Sequence, residues 1–137
     1  MTGFSIRPMR SEDEPFVFRA WLEGYWPHFP GNVVMSKGEF LRRWHTIIER
    51  ILADRRTKTI VATVEGQPEA LLGFACGSAE CLHWCYVKQA FRGLGIGKAL
   101  QSTADGDSYT ASHWSGWLRR NAYGWQYTPD LLKEYTL

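Results

Sequence analysis

The sequence has no apolar run long enough to cross a membrane. No stretch approaches the roughly 18 consecutive apolar residues that a transmembrane helix needs, and the N-terminus lacks the apolar core of a signal peptide. Cysteine is also scarce. Three cysteines, an odd number without regular spacing, argue against a disulfide framework and favour a reducing compartment. These absences argue against a membrane-spanning or disulfide-rich protein and predict a cytoplasmic one.

A strong charge of either sign is missing as well. The 137 residues carry a net charge of +2, with 22% charged and 45% hydrophobic residues, which is typical of one globular domain spanning residues 1–137. No cluster of Lys and Arg is dense enough to predict a nucleic-acid partner from charge alone. Aromatic residues are abundant: seven Trp, six Tyr and seven Phe must fill a core or line a pocket.

The first third of the chain alternates between strand and helix patterns. A strand is predicted over residues 4–9, followed by a helix with Ser11 and Asp13 as candidate N-caps. Two prolines and a glycine prevent regular structure over residues 25–32. Ser36 and Glu39 then form a capping box. Apolar residues at helical spacing predict an amphipathic helix that ends near residue 52.

The rest of the chain is predicted to consist mainly of strands, with two short helices. Alternating and apolar runs predict three strands, over residues 59–64, 69–77 and 81–87. A helix over residues 97–104 ends at a cluster of Asp and Gly residues. The weaker pattern after it predicts a strand over 108–112, a helix over 114–122 and a strand over 125–127.

The most informative segment covers residues 87–98. The apolar strand 81–87 leads directly into Gly93, Gly95 and Gly97, and Lys98 with a short apolar run follows. Glycines expose backbone N–H groups, and the start of a helix adds the positive end of its dipole. The order of strand, glycine-rich loop and helix start therefore predicts an anion site.

Two nucleotide-binding templates fail on this loop. A G-x-G-x-x-G dinucleotide fingerprint counted from Gly93 needs glycine where Lys98 stands. A Walker A loop ending at Lys98 needs glycine where Arg92 stands and Ser or Thr where Ala99 stands. The motif that remains is R-x-x-G-x-G, from Arg92 to Gly97.

This motif resembles the pyrophosphate loop of the GCN5-related N-acetyltransferase (GNAT) superfamily, which cradles coenzyme A. The positions in register with the family's strand, loop and helix are Val87, Phe91, Arg92, Gly95, Gly97 and Leu100, while Gln89 replaces the usual Pro. The predicted elements over residues 4–104 also follow the GNAT order. The resemblance implies an α/β (α+β) fold with a central mixed, mostly antiparallel sheet of about six strands and about four flanking helices. The C-terminal end is shorter than usual, and residues 113–132 resemble short phage and prophage members.

The resemblance further implies an enzyme that transfers acetyl from acetyl-CoA to an amine of a small molecule or a protein. The main chain of Cys85, Tyr86 and Val87 would hold the pantetheine arm. The expected pyrophosphate donors are Arg92, Gly93, Leu94, Gly95, Ile96, Gly97 and Lys98.

Catalytic residues are assigned by the same resemblance. His83 lies four residues before Val87, the spacing of the histidine base in arylalkylamine acetyltransferases, and an ordinary histidine titrates near neutral pH. Glu80 is the alternative base, one residue away from the family's usual carboxylate. Tyr123 is the candidate general acid, with Tyr127 as the alternative. A structural role for His83 is equally open.

The acceptor pocket is expected at the aromatic segment between the first two helices, with Tyr25, Trp26, His28 and Phe29 as its candidate residues. Aromatic side chains there can stack on a ring of the acceptor or bind a cation, and they can equally belong to the hydrophobic core. No metal site is predicted: although Cys81, His83 and Cys85 fall on one face of the predicted strand, the two cysteines lie about 13 Å apart on an extended chain.

Two alternative functions stay open at this point. The first is a coenzyme-A-binding interaction or inhibitor module with altered catalysis. The second is a phage-type enzyme that modifies nucleic acid, for which the composition shows no basic stripe. The oligomeric state is also open, with a homodimer among the options.

Overall fold

The computed structural model describes residues 3–106, 109–113 and 125–136. Within these ranges one sheet has its strands in chain order. The first four strands pair antiparallel, whereas the last two pairings are parallel. This mixed, mostly antiparallel sheet confirms the predicted fold class. Its strands are β1 (Phe4–Pro8), β2 (Lys58–Val64), β3 (Gln67–Gly77), β4 (Leu82–Val87), β5 (Thr110–Ala111) and β6 (Gln126–Tyr127).

Three α-helices occur in the described part of the chain: α1 (Glu14–Tyr25), α2 (Lys37–Ala53) and α3 (Ile96–Asp105). Among the described residues, no helix combines the length and apolarity needed to cross a membrane. The helix predicted over residues 114–122 lies outside the described residues. Short 3₁₀ segments complete the fold, at Ser11–Asp13, Trp26–His28, Pro30–Val33, Gln89–Phe91 and Pro129–Tyr135.

The two long helices begin in different ways. The Ser36 half of the predicted capping box is present, because its Oγ accepts a hydrogen bond from the Glu39 N–H at 3.2 Å, while the Glu39 carboxylate pairs with Arg43 at 2.9 Å. Asp13 stands at the N-cap of α1 but makes no side-chain cap. Its buried carboxylate instead accepts two bonds from the Arg7 guanidinium, at 2.7 and 3.1 Å, and this charge-assisted pair is stronger than a cap. Asp13 therefore takes the predicted N-cap position, but its carboxylate bonds to Arg7 and to the Arg10 N–H, at 2.8 Å, rather than to the N–H groups of α1.

The helices cover the two faces of the sheet. On one face α1 and α2 bury an aromatic-rich core against Val61, Phe74, Cys76 and Trp84. On the other face α3 packs its Ile96, Leu100 and Ala104 against the strand residues whose side chains point to that face. These are Ile60, Ala62, Ala75, Cys85 and Val87. Most of the chain's aromatic residues therefore serve the α1–α2 core.

A β-bulge interrupts β4 at His83. Cys76 of β3 pairs with Trp84, and the next residue, Gly77, pairs with Leu82. His83 is thus the extra residue on β4. A bulge breaks the alternation of side chains along a strand.

The bulge decides which face His83 occupies. Leu82 and Cys85 both pack on the α3 side. The His83 ring instead meets the rings of Tyr135 and His113, at centroid distances of 5.8 and 6.2 Å, on the side of α1 and α2. The prediction that Cys81, His83 and Cys85 share one face is therefore wrong.

Candidate active site

The loop after β4 has the backbone of an anion cradle. Gly93 and Gly95 have φ of +83° and +85°, values that residues with a Cβ rarely adopt. A Cβ at either glycine would meet no atom within 4 Å. The glycines are therefore needed for the loop's conformation, and the space above them is open.

The start of α3 adds backbone N–H donors that have no acceptor within the helix. Gly95 is the N-cap, and the first helical bond runs from the Ala99 N–H to the Gly95 carbonyl. The N–H groups of Ile96, Gly97 and Lys98 consequently have no acceptor within the helix. The first turn contains no acidic side chain that would complement the helix dipole. A helix start with an exposed lysine and no carboxylate suits an external anion.

Arg92 connects the loop to the end of β4. Its Nε donates to the Val87 carbonyl at 2.9 Å, and its guanidinium lies 5.9 Å from the centre of the Tyr86 ring. The side chain remains exposed, so its other N–H groups can reach a bound phosphate. Backbone N–H groups, a guanidinium and an ammonium together form the donor set that phosphate oxygens require. These residues fit the pyrophosphate of coenzyme A.

The backbone N–H and C=O groups of Val87, at the end of β4, point away from β3. The Lys88 N–H donates to the Leu72 carbonyl of β3 at 2.8 Å, and backbone groups alternate along a strand, so those of Val87 point toward the β5 side. Between β4 and β5, the described residues pair at Leu82 and Ala111, with a further bond from the Ser112 N–H to the Leu82 carbonyl. Pairing is thus confined to the start of β4 in the part of the chain that the structure describes.

A cavity of about 300 Å³ lies at that start of β4. The C-terminal 3₁₀ segment closes one side of it, because Arg56 forms ion pairs with Asp54 and Glu134, each at 2.6 Å, and Tyr135 donates to Asp54 at 2.7 Å. The cavity is lined by Arg56, Ser78, Ala79, Glu80, Cys81, His83, Leu131, Glu134 and Tyr135. It therefore combines His83 with carboxylates.

His83 is buried and neutral at this cavity. Its side chain makes one short hydrogen bond, between Nδ1 and the Oγ of Ser112, at 2.7 Å. Burial lowers the pKa of His83 to about 4, so the ring carries no charge at neutral pH. The short bond to Ser112 fixes the ring's orientation.

His113 continues this hydrogen-bond chain into the core. Its Nδ1 lies 2.8 Å from the same Ser112 Oγ, and burial lowers the pKa of His113 as well. Four aromatic rings surround it with centroids 4.7 to 5.7 Å away, those of Trp21, Tyr25, Trp44 and Trp84. Nothing in the sequence around Ser112 signals that its hydroxyl joins two histidines, so sequence reasoning missed it.

Solved structures share this architecture. A GCN5-related N-acetyltransferase from Ralstonia eutropha JMP134 aligns with a TM-score of 0.64 at 17% identity, over 92% of this chain and 94% of its own. This chain has the fold of the GCN5-related N-acetyltransferases. The GNAT fold also appears in a Pyrococcus furiosus protein assigned as an acetyl transferase, with a TM-score of 0.57 at 21% identity over 74% of this chain and 71% of that one. No protein-family model and no curated protein matches the sequence.

A third GNAT-fold structure is part of a much larger protein. It is a glucosamine N-acetyltransferase region in a fungal multi-domain β-N-acetylglucosaminidase, with a TM-score of 0.50 and 15% identity over 75% of this chain and 12% of that one. The resemblance drawn from the loop is thus confirmed for the fold.

The GNAT fold brings some predicted site residues together and separates others. His83 and Glu80 line one cavity, and Glu80 is exposed. Cys85 packs against α3, where its Sγ donates to the Gly97 carbonyl at 3.7 Å. Tyr123 lies outside the described residues, while Tyr127 is half-buried in β6. The assignments of these residues stay predictions.

The predicted acceptor residues lie on the α1–α2 face. Tyr25 is only 3% exposed and packs in the aromatic core. Trp26 and Phe29 are half-buried against the same core, and His28 is half-buried beside them. In this structure these rings support the core, and an acceptor role for them stays a prediction.

The described residues hold no group of three or more His, Cys, Asp or Glu side chains that could bind a metal ion. Cys81 Sγ lies 3.8 Å from both ring nitrogens of His83. Cys85 packs on the opposite face of the sheet. The three side chains of the C-x-H-x-C sequence therefore do not converge.

Proposed function

We propose that this protein is an acetyl-CoA-dependent N-acetyltransferase that transfers acetyl directly to an amine. The observation that carries the proposal is the loop at residues 92–98. Two positive-φ glycines, three helix N–H groups without helical acceptors and two cationic side chains converge there. The GNAT fold supports the same conclusion, and the fungal GNAT-fold region named above acts on an amine.

In this proposal β4 connects the two ends of the site. The loop residues Arg92, Gly93, Leu94, Gly95, Ile96, Gly97 and Lys98 bind the pyrophosphate. By the same alternation, the main chain of Cys85 and Val87 orients the arm along the β5 side of β4, while the main chain of Tyr86 faces Phe74 of β3. The bound co-substrate supplies an acetyl thioester. His83 lies four residues upstream of Val87, about 13 Å along an extended strand, where the cavity begins.

The cavity at the start of β4 is the proposed acceptor site. Its exposed carboxylate Glu80 attracts an ammonium group, whereas Glu134 pairs with Arg56, and one of the polar groups there must accept the proton that the amine loses. His83 and Glu80 are the two candidates. A volume near 300 Å³ is at the small end of ligand sites, which suits a compact amine or one side chain of a protein. Tyr123 is the proposed acid, and the segment of Tyr25, Trp26, His28 and Phe29 the proposed cover.

Two measurements on the purified protein test the proposal. Isothermal titration calorimetry with coenzyme A should show saturable binding at one site per chain, and acetyl-CoA with a panel of small amines and peptides should release free thiol. Binding without transfer to any acceptor would favour the interaction-module alternative. Absence of binding would refute the proposal. A cytoplasmic location and a phage-type relationship stay predictions.

A further inference from the structure

One serine hydroxyl stands between two buried histidine rings. Ser112 Oγ lies 2.7 Å from Nδ1 of His83 and 2.8 Å from Nδ1 of His113. Both rings are neutral, so each carries one proton, on Nδ1 or on Nε2. Ser112 has a single hydrogen to donate. At least one of the two histidines must therefore donate its own Nδ1–H to Ser112.

The surroundings of His113 decide which histidine donates. Its Nε2 is buried and has no hydrogen-bond partner among the described residues. A buried N–H without an acceptor is rarer and more costly than an acceptor without a donor. The indole N–H groups of Trp21 and Trp84 also lack partners, and both rings lie within 5.7 Å of the His113 ring. A protonated Nε2 would add a third buried N–H without an acceptor to these two, so an unprotonated Nε2 is favoured. His113 therefore carries its proton on Nδ1 and donates it to Ser112.

The proton of Ser112 is then free for His83. The competing acceptor is the sulfur of Cys81, which lies beside His83 and Ser112. A thiol sulfur is a weaker acceptor than an imidazole nitrogen, so the hydroxyl donates to His83 Nδ1 at 2.7 Å. With Nδ1 acting as an acceptor, the proton of His83 must sit on Nε2. Nε2 is the ring nitrogen that remains, and it lies 3.8 Å from the Sγ of Cys81, which lines the cavity together with His83.

We propose that Ser112 and His113 are positioning residues that hold His83 as an N–H donor, rather than a base, at the cavity. This inference rests on the proposed function for its catalytic meaning. The acceptor of the amine's proton is then Glu80, the other candidate at the same cavity. His83 Nε2–H donates a hydrogen bond to an oxygen of the bound reactants.

The proton balance is consistent with this assignment. An ammonium acceptor gives one proton to the Glu80 carboxylate, and its nitrogen forms the new C–N bond as the C–S bond breaks. The second proton lost by the nitrogen goes to the departing sulfur. Glu80 returns its proton to solvent. His83 keeps its proton on Nε2 throughout, so the hydrogen-bond chain to His113 is unchanged at the end of the cycle.

Nuclear magnetic resonance of the ligand-free protein with ¹⁵N-labelled histidine tests the tautomers directly. We expect a protonated Nε2 and an unprotonated Nδ1 for His83, and the reverse for His113. In Ser112→Ala, His83 should gain a population with protonated Nδ1, because its donor is gone. An unprotonated Nε2 of His83 in the wild-type protein overturns the inference. This readout does not require acetyl transfer, so it separates failure of the inference from failure of the proposed function.

Kinetics provide a second test, since glutamine keeps an amide N–H donor but cannot act as a base. His83→Gln should reduce kcat less than 10-fold, while His83→Leu should reduce it further at similar thermal stability. Glu80→Gln should reduce kcat by at least about 10²-fold, the usual effect of losing a general base. Glu69→Gln, an exposed carboxylate on β3, controls for the change of charge. If His83→Gln reduces kcat by about 10²-fold and Glu80→Gln does not, the inference is overturned.

Discussion

Gly95 provides the most direct test of the anion loop, because the structure also contains a matched control. Gly95 has φ of +85° and ψ of 1° at the N-cap of α3. Gly66, in the turn between β2 and β3, has φ of +79°. A Cβ at either position meets no atom within 4 Å. Alanine at either glycine therefore has a similar backbone cost, and only Gly95 lies in the anion loop.

The backbone cost follows from general values. A residue with a Cβ in the left-handed region loses about 1–2 kcal/mol, and replacing glycine recovers about 0.4–1 kcal/mol from the unfolded chain. Each variant should therefore lose about 1 kcal/mol of unfolding free energy, or about 3–5 °C in Tm for a chain of this size. Differential scanning calorimetry measures this shift, and the two variants should agree.

Binding should distinguish the two variants. A Cβ at Gly95 enters the space above the unpaired N–H groups and displaces a phosphate oxygen from a charge-assisted bond of about 1.5–3 kcal/mol. The dissociation constant for coenzyme A in Gly95→Ala should rise about 10- to 100-fold, while Gly66→Ala keeps the wild-type value. Titration calorimetry below both melting temperatures measures the difference. Equal affinities in all three proteins would refute the assignment of the loop.

Two further predictions concern stability. Burial lowers the pKa of His83 to about 4, so the unfolded chain binds more protons than the native one between about pH 4 and 6.5. The unfolding free energy therefore falls as the pH is lowered through this window, by up to about 1.4 kcal/mol per pH unit. Urea titrations should show that the unfolding free energy of His83→Gln depends less steeply on pH than that of the wild type. The same pH dependence in both proteins would contradict this prediction. Ser36→Ala should lose about 1 kcal/mol, whereas Ser11→Ala, which removes no cap, should stay within about 0.5 kcal/mol.

The loop was predictable because its chemistry is local in sequence. Glycines at positions 93 and 95 are required by backbone angles that a few consecutive residues determine. The Ser36 cap and the amphipathic pattern of α2 depend on spacings of three and four residues, and both were confirmed. Such features need no knowledge of the rest of the fold, so a single sequence is sufficient to predict them.

The cavity was not predictable because it depends on distant segments. The side of the strand that His83 occupies depends on a bulge opposite Gly77, which arises from the pairing of β3 with β4. Its partner Ser112 is 29 residues away, and Tyr135 reaches the cavity through an ion-pair network around Asp54 and Arg56. A strict alternation rule places His83 beside Cys85, whereas the bulge moves it to the other face.

The length of β4 connects the two parts of the proposal. From the cavity at His83, β4 runs about 13 Å to Val87, and residues 88–91 connect Val87 to the anion loop at residues 92–98. A ligand bound by the loop through phosphates reaches the cavity only if it carries an extended arm of that order. An arm of this kind also needs hydrogen-bonding groups along the edge of a strand, and the described pairing of β4 with β5 stops at Leu82. A simple nucleotide has no such arm. In the proposed function one ligand spans the loop and the cavity, and coenzyme A matches this spacing better than a simple nucleotide does.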